Sequence, residues 1–130
     1  MNLTDYNLDY QAAKHAQNLL QKGGTKAKEF ENTLTKTLGV LQENGVYASF
    51  LYLYAREKEN GEKLAAEMLA LLHILHLPAP PEGASRETVL QHLAENLTTD
   101  LSALLLAHEA LERMLIYARY HAKAQQKEKE

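Results

Sequence analysis

Apolar residues recur every three to four positions along most of the chain, which is the spacing of one buried face of an α-helix. Two such stripes stand out before residue 44. The first comprises Leu8, Ala12, His15 or Ala16, Leu19 and Leu20, and the second comprises Phe30, Leu34, Leu38 and Leu41. Helices with one apolar stripe bury it against other elements, so the pattern predicts a helical bundle.

Glycines, prolines and capping residues divide the pattern into six predicted helices. The breaks are expected at Gly23-Gly24, Asn44-Gly45, Asn60-Gly61 and the proline-rich loop 78–84. Thr25 and Ser85 are expected to cap the second and fifth helices. The first predicted helix runs from a cap at Thr4 or Asp5 to about Lys22. The next four cover about Lys26–Glu43, Val46–Lys58, Glu62–Leu77 and Arg86–Asn96. The sixth begins at a cap at Thr98 or Thr99, has Asp100 in its first turn and ends at about Gln126.

The third predicted helix is apolar on most of its surface, which favours a central position in the bundle. Its expected core face holds Val46, Phe50, Leu53 and Tyr54, and Tyr47, Leu51 and Ala55 widen that face. A polar strip at the surface is predicted from Ser49, Tyr52, Arg56 and Glu59.

Composition supports an all-α fold. The chain has 24 Leu and 18 Ala but only five Val and Ile together, and β-branched aliphatic residues are the ones that strands favour. Residues 1–130 show no linker, so we predict a single-domain bundle with a long C-terminal helix, of which residues 124–130 form a charged tail that frays.

Several classes of protein are disfavoured by simple absences. There is no cysteine, and therefore no disulfide, thiolate zinc site or cysteine nucleophile. The N-terminus does not resemble a signal peptide, and the apolar run Met68–Leu77 is too short to span a bilayer. A cytoplasmic protein without a membrane partner is the expectation.

Charge is distributed unevenly. Residues 57–112 carry ten acidic and three basic residues, a net charge of −7, whereas residues 113–130 carry five basic and two acidic residues, a net charge of +3. Such asymmetry can orient a protein between a polyanion and a basic partner, although a solvated helical surface explains the same charges.

Catalytic and metal-binding motifs are weak. His73 and His76 share a helix face, but a metal site needs three or four ligands. His108-Glu109 begins a zincin-like pattern whose second histidine is replaced by Glu112, so Glu109 is more simply a partner of Arg113. We therefore expect no catalytic residue, no metal and no cofactor.

The last helix is the better candidate for binding. Arg119, Lys123 and Lys127 are spaced by four residues and form one basic ridge, with Tyr120 beside it. Basic groups next to aromatic rings suit a nucleic-acid backbone. Basic side chains near a helix C-terminus also complement its dipole, and spacing alone does not separate the two interpretations.

Three short patterns give the chain a family resemblance. They are an Asn-Gly break followed by an apolar helix, a Leu-Thr cap before an Ala-rich helix, and a closing helix of basic-aromatic-Ala character. The matching residues are Asn44-Gly45-Val46, Tyr52-Leu53, Ala55-Arg56, Leu3-Thr4, Ala12-Ala13-Lys14, Met114-Leu115, Arg119-Tyr120 and Ala122-Lys123. In these features the chain resembles the small all-helical subunit of the type III-B CRISPR effector, the Cmr complex.

The resemblance implies a non-catalytic subunit of an antiviral ribonucleoprotein. Several copies would stack along a filament of larger subunits and help to hold the duplex of guide RNA and target RNA. Its partners would be the other effector subunits, the RNA duplex and further copies of itself. The expected RNA contacts are Lys14, Arg56, Arg113, Arg119 and Lys123.

Other interpretations remain open at this point. The small subunit of the related type III-A complex is also a helical bundle. A protein–protein adaptor that does not touch nucleic acid is the main alternative, because the acidic segment 57–112 repels phosphate. A helical enzyme or metal protein that uses His73 and His76 is the third.

Overall fold

A computed structural model describes residues 7–21 and 27–129 of the chain. All regular elements of this part are helices, which confirms the predicted all-α bundle. They are α1 (Leu8–Gln21), α2 (Ala27–Asn44), α3 (Val46–Arg56), α4 (Glu59–Ile74), α5 (Arg86–His92), which continues into a π-helical turn (Leu93–Leu97), and α6 (Leu101–Lys129). The predicted caps Thr4, Asp5 and Thr25 and the break Gly23-Gly24 lie outside the described residues.

Helix α6 is the longest element and carries the bundle, because α1 and α2 both pack along it. The start of α2 meets the far end of α6, where Lys123 lies near Glu31, and the end of α2 meets its middle, where Gln42 bonds Glu112. Helix α2 is therefore antiparallel to α6. Helix α4 packs against α1 and α3, and α5 packs against α3.

The core consists of the predicted apolar stripes. Ala12, Ala16, Leu19, Phe30, Leu34, Leu38 and Leu41 are all buried, as are residues of every other helix. The buried face of α6 has large side chains in its middle and alanines on both sides of them, comprising Ala107, Ala110, Leu111, Met114, Leu115, Ala118 and Ala122. The repeat of three to four residues explains why one long helix can contact two neighbours along its length.

The prediction for α3 is correct for its core and wrong for part of its polar strip. Val46, Phe50 and Leu53 are buried as expected. Ser49 was predicted at the surface but is fully buried, and its hydroxyl donates to the Val46 carbonyl oxygen at 2.6 Å. That bond satisfies the hydroxyl inside the core. Leu51 and Ala55, predicted to widen the core face, are instead exposed, and Tyr54 is only partly buried.

Some helix ends coincide with the predicted breaks and capping residues. Gly45 lies at the N-cap of α3 with a φ of 99°, a conformation that glycine adopts without steric penalty. Ser85 caps α5 as predicted, since its Oγ accepts a hydrogen bond from the Thr88 N–H at 3.2 Å. At the start of α1, Asn7 Oδ1 accepts from the Tyr10 N–H at 3.0 Å.

The predicted break at Asn60-Gly61 is wrong. Helix α3 ends at Arg56 because Glu57 is extended, with φ of −110° and ψ of 135°, and α4 begins at Glu59. Gly61 therefore lies in the first turn of α4, where it is buried against α3. A Cβ atom at this position would stand 2.5 Å from the Leu53 carbonyl oxygen, so the glycine serves close packing rather than a break.

Three other predicted helix ends are corrected. Helix α4 ends at Ile74 rather than Leu77, because His76 takes a positive φ of 59° and the Leu77 N–H reaches back to the Leu72 carbonyl at 2.9 Å. The cap of α6 is Asp100 rather than Thr98 or Thr99, since Asp100 Oδ1 accepts from the Ala103 N–H at 3.1 Å. Helix α6 also continues to Lys129, beyond the predicted Gln126.

Candidate functional site

The basic residues predicted to contact RNA lie on three helices. Lys14 is exposed on α1, and Arg56 is exposed at the last residue of α3. Arg113, Arg119 and Lys123 lie on α6. Only Arg119 and Lys123 share an edge of that helix, because a spacing of four residues separates side chains by about 40° around the axis. The five residues therefore do not form one patch.

Arg113 is already paired with acids. Its Nη1 lies 3.4 Å from Asp9 Oδ1, and its Nη2 lies 3.0 Å from Glu109 Oε1, as the spacing of four predicted. The Tyr117 hydroxyl donates to the same Asp9 carboxylate, and this bond raises the pKa of Tyr117. Two neighbouring carboxylates offset the charge of the guanidinium, so Arg113 offers less to a phosphate than its sequence position indicated.

Arg119 and Lys123 form a more open pair, here called the basic edge. Lys123 Nζ lies 3.9 Å from Glu31 Oε1, at the limit of an ion pair, and its side chain is about half exposed. Within the described part of the chain, Arg119 makes no ion pair. Lys127, the third residue of the predicted ridge, lies on the same helix, and its side chain is outside the described ones.

Two of the histidines singled out by the sequence, His73 and His108, have backbone partners. His73 Nε2 lies 2.6 Å from the Pro80 carbonyl oxygen and links α4 to the loop that follows it. His108 Nε2 lies 3.1 Å from the Leu41 carbonyl oxygen at the end of α2. Among the residues that the structure describes, no group of three or more His, Cys, Asp or Glu side chains is placed to hold a metal ion.

A cavity that the sequence did not predict opens between α1, α4, α5 and the loop 78–84. Its volume is about 830 Å³. We call it the α1–α4 cavity; its polar lining includes Lys14, His15, Asn18, Tyr54, Glu62, His73, Glu82 and Arg86, and its apolar lining includes Ala66, Leu69, Ala70, Ile74 and Val89. Lys14 thus lies at a cavity rather than on the basic edge.

A buried pair stands behind the wall of this cavity. His15 Nδ1 contacts Glu67 Oε2, which joins α1 to α4, and the two residues are only 9% and 3% exposed. Each side chain falls within the apolar stripe of its helix, and Glu67 lies three residues after Leu64 and four before Leu71. In the sequence, an acid in the apolar stripe of one helix and a histidine in the apolar stripe of another could have indicated this pair.

A second polar group lies at the opening. The Arg86 guanidinium pairs with Glu62, and its Cζ atom lies 5.8 Å from the centre of the Tyr54 ring. Burial raises the pKa of the Tyr54 phenol, and the nearby Arg86 opposes that shift. The phenol therefore stays protonated at neutral pH and can donate a hydrogen bond.

Large apolar side chains are exposed at the start of α6. Leu101, Leu105 and Leu106 are 69%, 62% and 41% exposed, and we call them the leucine face. They lie on the part of α6 that precedes its contacts with Gln42 and Asp9. Clustered exposed leucines are typical of a surface that another protein covers.

Comparison with known proteins finds no family model that matches the chain, no matching curated protein and no matching solved structure. Among the helices that the structure describes, none is both long and apolar enough to cross a membrane.

Proposed function

We propose that the chain is the non-catalytic small subunit of a type III CRISPR effector, of the type III-B class. In this role several copies stack beside the backbone filament in the cytoplasm and help to hold the duplex of guide and target RNA. The resemblance at Asn44-Gly45 and along the closing helix carries the proposal. Two observations support it: the all-helical fold, and the basic edge of α6, on which Lys123 is exposed and Arg119 is partly exposed.

Weak contacts by a single copy are compatible with this role. Each copy presents few basic groups, and some of them are offset by Asp9, Glu31 and Glu109. When several copies align along one RNA, their individual phosphate contacts act together, so the effective affinity rises without any new contact.

The test is reconstitution of the effector with the double variant Arg119→Glu/Lys123→Glu. We expect target-RNA affinity to fall about tenfold or more, with a shallower dependence on salt between about 50 and 200 mM, because each lost phosphate contact removes counterion release. The matched control is Lys36→Glu/Lys58→Glu, which makes the same change in net charge at two exposed positions, one on α2 and one at the α3–α4 junction. Equal affinity and salt slope in the wild type and the double variant would show that the basic edge does not contact RNA.

A second candidate function is a protein–protein adaptor without RNA contact, including the type III-A small subunit as a near relative of the first. The leucine face favours this candidate, because it offers apolar area to a protein partner and no charge to a phosphate. Crosslinking of the assembled complex separates the two functions: the adaptor gives no crosslink from this chain to RNA, whereas the RNA-holding subunit crosslinks through α6.

A further inference from the structure

The α1–α4 cavity has the size and lining of a small-molecule site. Its volume of about 830 Å³ lies within the range of about 300–1,000 Å³ that ligand pockets usually have. Most of its walls are apolar, and a few polar groups converge on it from α1, α3 and α5. The proposed role in holding RNA uses neither the cavity nor the buried pair beside it.

His15 presents an unused hydrogen-bonding atom to this cavity. His15 Nδ1 contacts the Glu67 carboxylate, and in the neutral imidazole whose Nδ1 donates to that carboxylate, Nε2 is a hydrogen-bond acceptor. His15 lines the cavity, whereas Glu67, which contacts Nδ1, does not, so Nε2 is the ring nitrogen left for a ligand in the cavity. Within the described residues Nε2 has no partner, although the side chain is about nine-tenths buried.

The rest of the lining favours a flat, largely uncharged ligand. Ala66 and Ala70 are one turn apart on α4 and form a short stretch of small side chains, and Leu69, His73 and Ile74 of the same helix also line the cavity. Asn18 and the Tyr54 phenol add a polar amide and a hydroxyl at other points of the lining. The basic residues Lys14 and Arg86 are matched by Glu62 and Glu82, so the lining holds no excess of positive charge for an isolated phosphate.

We propose that the α1–α4 cavity binds a nucleobase, whose N–H edge donates to Nε2 of His15 and whose ring face lies on the wall of Ala66 and Ala70. The base belongs either to a free nucleoside or to a short RNA strand, since both present the same edge and face. Glu67 acts as a positioning residue that holds the His15 tautomer. This site is independent of the basic edge on α6.

The test is titration of the full chain with adenosine, guanosine, cytidine and uridine, followed by backbone amide NMR and calorimetry. The same titration with ribose 5-phosphate reports any binding to sugar and phosphate alone, and trinucleotide RNAs report bases delivered by a strand. Ala70→Leu narrows the cavity and leaves the His15–Glu67 pair in place. His15→Gln removes the imidazole acceptor and keeps an amide that can donate to Glu67. Ala13→Leu is the matched control, a half-buried alanine of α1 that does not line the cavity.

We expect at least one nucleoside to bind the wild type and to shift amides of α1 and α4. Ala70→Leu and His15→Gln should each weaken that binding by about tenfold or more, whereas Ala13→Leu should leave it unchanged. Thermal unfolding of every variant verifies that it is folded. The proposal is overturned if no nucleoside or trinucleotide binds at millimolar concentration. It is equally overturned if ribose 5-phosphate binds as well as the nucleosides, or if binding survives Ala70→Leu unchanged.

Discussion

Single atoms decide how closely two helices approach, and the glycines of this bundle show it. Gly61 lies where a Cβ atom would stand 2.5 Å from the Leu53 carbonyl oxygen and 2.7 Å from Glu57 Cβ. Gly39, in the middle of α2, has no foreign atom within 4 Å of the same position. The first glycine is required by packing, whereas the second only adds freedom to the unfolded chain.

We therefore predict opposite effects of the same substitution at these two positions. Gly61→Ala should lower the free energy of unfolding by about 1–3 kcal/mol, because the clash is with backbone and can be relieved only by moving α4 from α3. Gly39→Ala should raise it by about 0.5–1 kcal/mol, the gain in helix propensity. Urea denaturation of both variants measures the two changes. A stabilised Gly61→Ala protein would contradict the packing of α3 against α4.

The His15–Glu67 pair gives a second prediction at the residue scale. Replacing only His15 with Leu leaves the Glu67 carboxylate buried without its imidazole, so we expect a loss of about 3 kcal/mol in unfolding free energy. Replacing both residues, as His15→Leu/Glu67→Met, removes the charge and should recover most of that loss. A double-mutant cycle in urea measures the coupling. Losses that simply add in the double variant would show that the two side chains do not interact.

The burial of a residue is predictable from sequence where the helical repeat of apolar positions alone determines it. The stripe of α2 is buried as predicted, and so are Ala12 and Leu19 of the α1 stripe, whereas Leu8 and Leu20 are only partly buried. His15 and Ala16 are both in the core although the pattern offered them as alternatives. Ser49 was not predictable in the same way, because a hydroxyl bonded to a carbonyl of its own helix is compatible with the interior. The polarity of a side chain therefore predicts its burial less well than the hydrogen bonds it can make within the fold.

Helix ends are less predictable than helix existence, since several local signals compete at each junction. Three consecutive residues before α6, Thr98, Thr99 and Asp100, can all cap a helix. The preceding π-helical turn uses the threonines, whose hydroxyls donate to the carbonyls of Ala94 and Glu95, and so leaves Asp100 as the cap. Similarly, the extended Glu57 ends α3 before Asn60-Gly61 is reached.

The cap assignment gives a prediction for α6. Asp100→Ala removes the acceptor for the Ala103 N–H and a negative charge at the positive end of the helix dipole, so the unfolding free energy should fall by about 1 kcal/mol. Thr99→Ala is the control, because its hydroxyl serves the preceding turn and the cap remains. Chemical denaturation measures the unfolding free energy of both variants. If Thr99→Ala lowered the unfolding free energy more than Asp100→Ala, the cap of α6 would be Thr99, as the sequence analysis predicted.

Partners brought together by distant parts of the chain define the whole molecule, and no local pattern predicts them. The spacing of basic residues along α6 was visible in the sequence, but the acids that offset them, Asp9 and Glu31, come from α1 and α2. The α1–α4 cavity likewise exists only because three helices and a loop meet around it. The sequence predicted a basic helix, and the folded chain divides it between paired and open positions.

The two surfaces of α6 should act separately in an assembled complex. Leu105, in the leucine face, and Arg119, in the basic edge, are fourteen positions apart, a rise of about 21 Å along the helix axis. Association through exposed leucines is driven by burial of apolar area and changes little with moderate salt, whereas phosphate contacts weaken steeply as salt rises. Salt dependence can therefore distinguish one contact from the other.

We predict that Leu101→Glu/Leu105→Glu reduces the number of copies of the chain in the reconstituted complex, and mass measurement of that complex gives the copy number. The salt dependence of RNA binding by the remaining copies should be unchanged. Leu51→Glu, an exposed leucine on α3, is the matched control and should leave the copy number unchanged. Arg119→Glu/Lys123→Glu should show the reverse pattern, with full copy number and a reduced salt slope. If the leucine variant assembled fully, the leucine face would not be a subunit contact, and the basic edge would remain the one surface of α6 with a proposed partner.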